Sequence, residues 1–159
     1  MDSQKIPVDQ LDKIIRTHTI RSFGVALIPA PGLDLAGLIV IQHSMIKKIA
    51  ALYGIPFFKE AAQKMLSTLI GGVILSSTMP LWISMVKCIP VFGQAVGAVT
   101  MPAVFGASTY ATGKVFIQHF ESGGTLLTFD PEKVQAYYAK MFEEGKDLAA
   151  AMNTSPETN

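Results

Sequence analysis

The stretch with the strongest claim to chemistry is Gly106-Ala-Ser-Thr-Tyr-Ala-Thr-Gly113-Lys114-Val115. A phosphate loop needs G-x-x-x-x-G-K-[ST], because the glycines open the backbone around the phosphates and the last hydroxyl binds magnesium. Here Ser108 stands where the first glycine belongs and Val115 where the hydroxyl belongs. No strand is expected before the stretch, so nucleotide hydrolysis is not expected. Two Ile-Gln-His triplets come next, one ending in Gln42-His43 and the other in Gln118-His119. Two histidines without a nearby acid or thiol make a weak metal set, and helix-face histidines account for them more simply. They remain the one site to inspect. Cys88 adjoins Lys87, which favours a thiolate, but it has no partner base and reads as a structural thiol. Asp34 follows a Pro-Gly breaker and offsets the partial positive charge of a helix start; the alternative is a buried functional acid. No catalytic residue, metal or cofactor is expected.

The elements that position these residues are helical, and they are organised around 65–120. Only Lys87 and Lys114 carry charge there, leaving uncharged runs over 66–86 and 88–113. A bilayer core about 30 Å thick needs roughly 20 apolar helical residues, and both runs reach that length. Half of the 159 residues are hydrophobic and 16% are charged, against about 25% in an ordinary soluble domain. The net charge of +1 supplies no field for nucleic acid. Residues 1–64 carry eight basic and five acidic groups, and 121–159 carry three and seven. The single cysteine excludes an intrachain disulfide and argues against a cysteine-based zinc site. The first residues lack the apolar core of a secretory signal, so a reducing, cytoplasm-facing setting is expected.

In chain order, Asp9 is the expected N-cap of a helix over about 10–28, with Leu11, Ile14, Ile15 and Val25 inward and His18 at the boundary with a wet edge. After the breaker Ile28-Pro29-Ala30-Pro31-Gly32, a second helix spans about 33–53. Its expected buried stripe is Leu35, Leu38, Ile39, Ile46, Ile49 and Leu52, and it ends at Gly54 and Pro56. A third helix starts near Phe57, with Glu60, Lys64, Ser67, Gly71 and Thr78 as a polar-to-small stripe that lets another helix approach. Pro80 should break the first run, leaving a short helix with Trp82. After Ile89-Pro90-Val91-Phe92-Gly93, a small-residue helix runs to about Phe120. Gly93, Gly97, Ala103, Ala107 and Ala111 form its packing stripe, Pro102 is a potential kink, and Gly123-Gly124 is the stop. Asp130-Pro131-Glu132 starts a last amphipathic helix over about 131–150. The expectation is an all-α chain of about five helices with a central apolar, glycine/alanine-rich hairpin. It forms one membrane-associated domain over 1–151 with a disordered tail at 152–159. The repeated Ile-Pro-x-x-Gly and Ile-Gln-His motifs raise a second alternative, two related helical hairpins whose Gln-His pairs meet across a pseudo-two-fold axis.

These motifs carry a family resemblance over roughly 15–124. Ile28-Pro29-Ala30-Pro31-Gly32 with Asp34, Ala51-Leu52-Tyr53-Gly54, Lys87-Cys88-Ile89-Pro90-Val91-Phe92-Gly93 and Ala107-Ser108-Thr109-Tyr110-Ala111-Thr112-Gly113 resemble the GTPase-associated domain of unknown function typified by YcjF-like bacterial membrane proteins. The resemblance implies a helical, membrane-associated module, often fused to or encoded beside a GTPase, with no established catalytic residues to carry over. Pro29, Gly32, Asp34, Gly54, Pro90, Gly93, Thr109, Tyr110 and Gly113 are its motif positions here. This chain contains no GTPase domain, so nucleotide chemistry would belong to a separate partner.

Two functions follow. The first is a non-enzymatic membrane-associated scaffold or adaptor, in contact with lipid, that self-assembles or docks a GTPase. Lys47, Lys48, Lys59 and Lys64 before the first run would place both termini on the cytoplasmic side, whether the protein is integral or held at the cytoplasmic face. Helices 9–28 and 131–150 are then the expected docking surfaces. The second is a soluble all-α homo-oligomer that buries its apolar hairpin or binds a lipid-like ligand.

Overall fold

In the computed structural model the backbone is described for residues 6–28, 32–76 and 92–154, and side chains for 6–28, 32–70, 101–149 and 151. Five α-helices make up these segments: α1 Val8–Ala26, α2 Leu33–Leu52, α3 Lys59–Ser76, α4 Phe92–Glu121 and α5 Pro131–Thr154. A single 3-10 turn, Leu126–Thr128, precedes α5. No strand occurs among the described residues. The architecture is all-α, as the apolar periodicity requires.

Local chemistry sets most of the ends. Gly54 adopts φ +66°, where a glycine carries no Cβ penalty. Its N–H donates to the Ala51 carbonyl, while Ile55 N–H reaches back to Ala50 at 2.8 Å, closing the end of α2. Gly123, at φ +82°, closes α4 in the same way, with Gly124 N–H on the His119 carbonyl at 3.0 Å. The Asp130 carboxylate accepts from Glu132 N–H at 3.1 Å, capping α5. Asp34 Oδ1 accepts from Gly32 N–H at 3.0 Å and Leu35 N–H at 2.8 Å, so this acid organises the start of α2. The expected cap at Asp9 is displaced. Pro7 is the N-cap of α1 with no side-chain bond, because its carbonyl already takes Gln10 N–H at 3.0 Å. Asp9 sits in the first turn, where its charge suits the helix dipole.

The core is one cluster shared by all five helices, including Ile15, Met45, Ile46, Leu66, Phe116 and Tyr138. Phe116 stacks on Phe129 with centroids 4.5 Å apart. Several sequence expectations change here. His18 is 1% exposed and not a wet boundary residue, because α1 is covered by both α2 and α4. Leu35 is exposed, whereas Leu38, Ile46 and Ile49 are buried. On α3, Glu60, Lys64 and Ser67 face solvent, and the packed face is Ala62, Met65, Leu66 and Leu69. α4 continues through Pro102. α5 extends to Thr154, beyond the expected end near 150, and its inner face is a wall of the core: Tyr138, Met141 and Phe142 are buried, while Glu143 and Asp147 on its other face stay exposed. α1 likewise commits Leu11 and Ile15 to the core.

The second uncharged run is not uniform. From Phe105 to Gly113 its residues are buried by protein, apart from the half-buried Tyr110. The short helix around Trp82, and the positions Pro29, Lys87, Cys88 and Pro90, lie outside the described residues. The surroundings of Gly71, Gly93 and Gly97 and the whole of Thr78 also lie outside them.

Candidate functional site

A polar cluster crosses the middle of this apolar core, drawing side chains from four helices. α2 supplies Gln42, α1 Ser22, α4 Ser108, Thr109 and Thr112, and α5 Tyr138. Gln42, Ser22, Thr109 and Thr112 are fully enclosed. Gln42 Nε2 donates to Ser108 Oγ at 3.0 Å and lies 3.4 Å from Thr109 Oγ1. Its Oε1 accepts from the Thr112 hydroxyl at 3.3 Å. Ser22 uses its one hydroxyl proton on the His18 carbonyl at 3.0 Å. The 2.6 Å contact between Ser22 and Thr109 therefore has Thr109 as donor. Ser108 Oγ meets the Tyr138 hydroxyl at 2.9 Å. Burial pushes the Tyr138 phenol up, with Ser108 and Thr112 partly opposing it.

The spacing explains the cluster. Ser108 and Thr112 are one turn apart on α4, and Thr109 lies beside them, so all three can face α2. An amide with two donors and one carbonyl is the side chain that bridges three hydroxyls. A buried polar group left unpaired costs about 1–3 kcal/mol, and satisfaction of Gln42 at both ends removes that penalty. Such a network specifies which helix faces meet. Among the described residues no base contacts any of its hydroxyls.

Small residues make the close approach possible. A Cβ on Gly113 would lie 2.7 Å from Ile15 Cγ1, and one on Gly145 would lie 2.9 Å from Ala107 Cα. Ala107 and Ala111 are buried and Ala103 is half-buried. Tyr110 turns the other way, donating to Glu144 at 2.7 Å. Lys114 pairs with Asp12 at 3.1 Å and lies 5.5 Å from the Tyr110 ring centre. Lys114 thus ties α4 to α1, inside a continuous helix that cannot form a phosphate loop.

The Gln-His pairs occupy different settings. Gln42 is in the cluster, while His43 meets the Phe57 ring edge-on at 6.1 Å. Gln118 is exposed, and His119 Nε2 contacts the Thr125 carbonyl at 2.9 Å. No described contact joins the two pairs. Among the described residues no group of three or more His, Cys, Asp or Glu could hold a metal ion. His18 Nδ1 lies 2.7 Å from the Ile14 carbonyl, and its Nε2 has no hydrogen-bond partner among the described residues. Burial, with Lys48 and Arg21 nearby, holds this imidazole below its ordinary value. Ser22 and Tyr138 escaped the sequence reading. The motif Ser108-Thr109-x-x-Thr112 was the available signal, since three hydroxyls in an uncharged helix need a polar partner.

One of the described helices, α2 at Leu33–Leu52, is long and apolar enough to cross a membrane, with mean hydropathy 1.4 over its best window. A third of that window is buried in the bundle. No solved structure matches the chain. The sequence is 34% identical over 147 residues to magnetosome membrane protein 22 of Magnetospirillum gryphiswaldense, covering 92% of this chain and 75% of that protein. The model of a domain of unknown function, DUF697, matches residues 5–147. The chain belongs to the DUF697 family.

Proposed function

We propose that this protein is a non-enzymatic, membrane-associated helical scaffold that self-assembles or docks a separate GTPase. The observation that carries the reading is the uncharged sequence leading out of one end of the bundle. α4 packs antiparallel to α1, Gly113 by Ile15 and Gly106 by Phe23. α4 begins at Phe92, about 20 Å along its axis before Gly106 at 1.5 Å per residue. A magnetosome membrane protein among its relatives supports the same setting.

The depth of insertion follows from length. The uncharged residues that lie in sequence between buried Leu69 and buried Phe105, 70–86 and 88–104 on either side of Lys87, would as helix each span about 25 Å, short of a core about 30 Å thick. Prolines at 80 and 90 in the sequence would shorten any straight helix there further. A re-entrant, shallow insertion is therefore favoured over two full crossings, with the bundle and both termini on the cytoplasmic side. Carbonate extraction of membranes from expressing cells tests it. The protein should stay in the pellet and come into solution with detergent. A monodisperse, detergent-free species would instead establish the soluble homo-oligomer.

A further inference from the structure

We infer that the groove between α3 and the turn leading into α5 is a self-association surface, where two copies of the chain pair about a twofold axis with Leu127 of each seated in the groove of the other. The inference rests on the self-assembly reading above and gives it a surface.

The turn sets up the knob. Thr128 Oγ1 accepts from Thr125 N–H at 2.8 Å, and Thr128 N–H donates to the Thr125 carbonyl at 3.2 Å. These bonds fix a 3-10 turn, in which successive side chains point about 120° apart. Leu126 is thereby buried in the core, while Leu127 is held outward and is 73% exposed, more than any other large apolar side chain among the described residues. Beside it lies a groove of about 420 Å³, mostly apolar and open to solvent. Ala61, Lys64 and Met65 of α3 line one side and Phe129, Asp130 and Glu132 the other, with Leu127 at the edge. A lone exposed leucine is ordinary. One fixed at the lip of an apolar groove is a knob beside a hole.

The polar groups decide what fills the groove. Thr68 spends its hydroxyl on the Lys64 carbonyl at 3.0 Å, and the Asp130 carboxylate meets Glu132 N–H at 3.1 Å and Lys133 at 3.5 Å. Both are committed within the chain, whereas a ligand pocket needs convergent polar groups free to orient its occupant. Lys64 and Glu132, one from each wall, are exposed, and neither has an ion-pair partner among the described residues. A twofold pairing requires one patch that carries both halves of every contact. This patch does so: the knob adjoins the hole, and Lys64 of each copy can meet Glu132 of the other. Nearby charges balance, Lys59, Lys64 and Lys133 against Glu60, Asp130 and Glu132, so two copies approach without net repulsion. Exposed ion pairs are individually weak, which leaves the apolar contact to hold the pair and the charges to set its register.

The test is sedimentation equilibrium of the full chain in detergent over a range of protein concentrations. The expected result is a reversible dimer. Leu127→Ser should raise its dissociation constant by more than about tenfold, because the lost contact occurs twice per pair. Lys64→Glu alone and Glu132→Lys alone should each weaken the dimer, since like charges then face one another twice. An equimolar mixture of those two variants should recover association, because opposite charges meet again across the interface. Recovery also shows that neither variant has merely misfolded. An assembly that none of the substitutions weakens overturns the groove and leaves self-assembly standing. Weakening by the single charge changes without recovery in the mixture overturns the twofold pairing. A monomer at every concentration overturns both the pairing and self-assembly, and assigns the groove to a different protein or an apolar ligand.

Discussion

Gln42 shows how a residue suited to chemistry can serve specificity instead. Its amide joins Ser108, Thr109 and Thr112 inside the core, so Gln42→Leu should leave hydroxyl groups short of partners. The expected loss is about 1–3 kcal/mol of stability, read as a lower midpoint in urea unfolding. His18 makes a pH prediction. Its folded-state value lies below 6.5, so the folded protein binds fewer protons than the unfolded chain as pH falls through that range. Stability present above pH 6.5 is then lost on acidification. In His18→Leu the decline of the unfolding midpoint from neutral to mildly acidic pH should be shallower. An unchanged slope would assign the acid sensitivity elsewhere.

At the scale of elements, the decisive contact is α4 on α5. A Cβ on Gly145 would press on Ala107 Cα and carbonyl, while one on Gly113 would meet side-chain atoms of Ile15 and Met45 and no backbone of another helix. Backbone cannot yield as a side chain can, and overpacking costs about 1–3 kcal/mol. Gly145→Ala should therefore lower the melting temperature more than Gly113→Ala. Equal shifts would mean that α4 and α5 can separate without cost. The helix limits themselves were largely legible, because Pro, Gly and Asp punctuate them. The missed details, Asp9 as cap and Leu35 as core, depend on a proline carbonyl and on which neighbours cover a helix face.

For the whole molecule, the last helix has a structural duty that composition alone concealed. Removing 131–159 takes Tyr138, Met141 and Phe142 out of the core, so the truncated chain should lose cooperative thermal unfolding as followed by circular dichroism. A truncated protein with an unchanged transition would show that α1 to α4 form a complete bundle. Docking of a partner is better probed on exposed charges of α5 such as Glu143 and Asp147, which can be reversed without opening the core.

The order of five helices, their breakers and the two uncharged runs on either side of Lys87 were determined by sequence, because apolar period, proline, glycine and charge act locally. The same local signals placed Gly54 and Asp130 at helix ends. Tertiary structure alone decided that Gln42 meets Ser108 and Thr109, residues 66 and 67 positions away, since no local rule pairs side chains so distant in the chain. It also decided that Phe105 to Gly113 belong chiefly to protein rather than lipid. An uncharged helix satisfies both solvents equally well by composition, and only the arrival of α1, α2 and α5 around it distinguishes them.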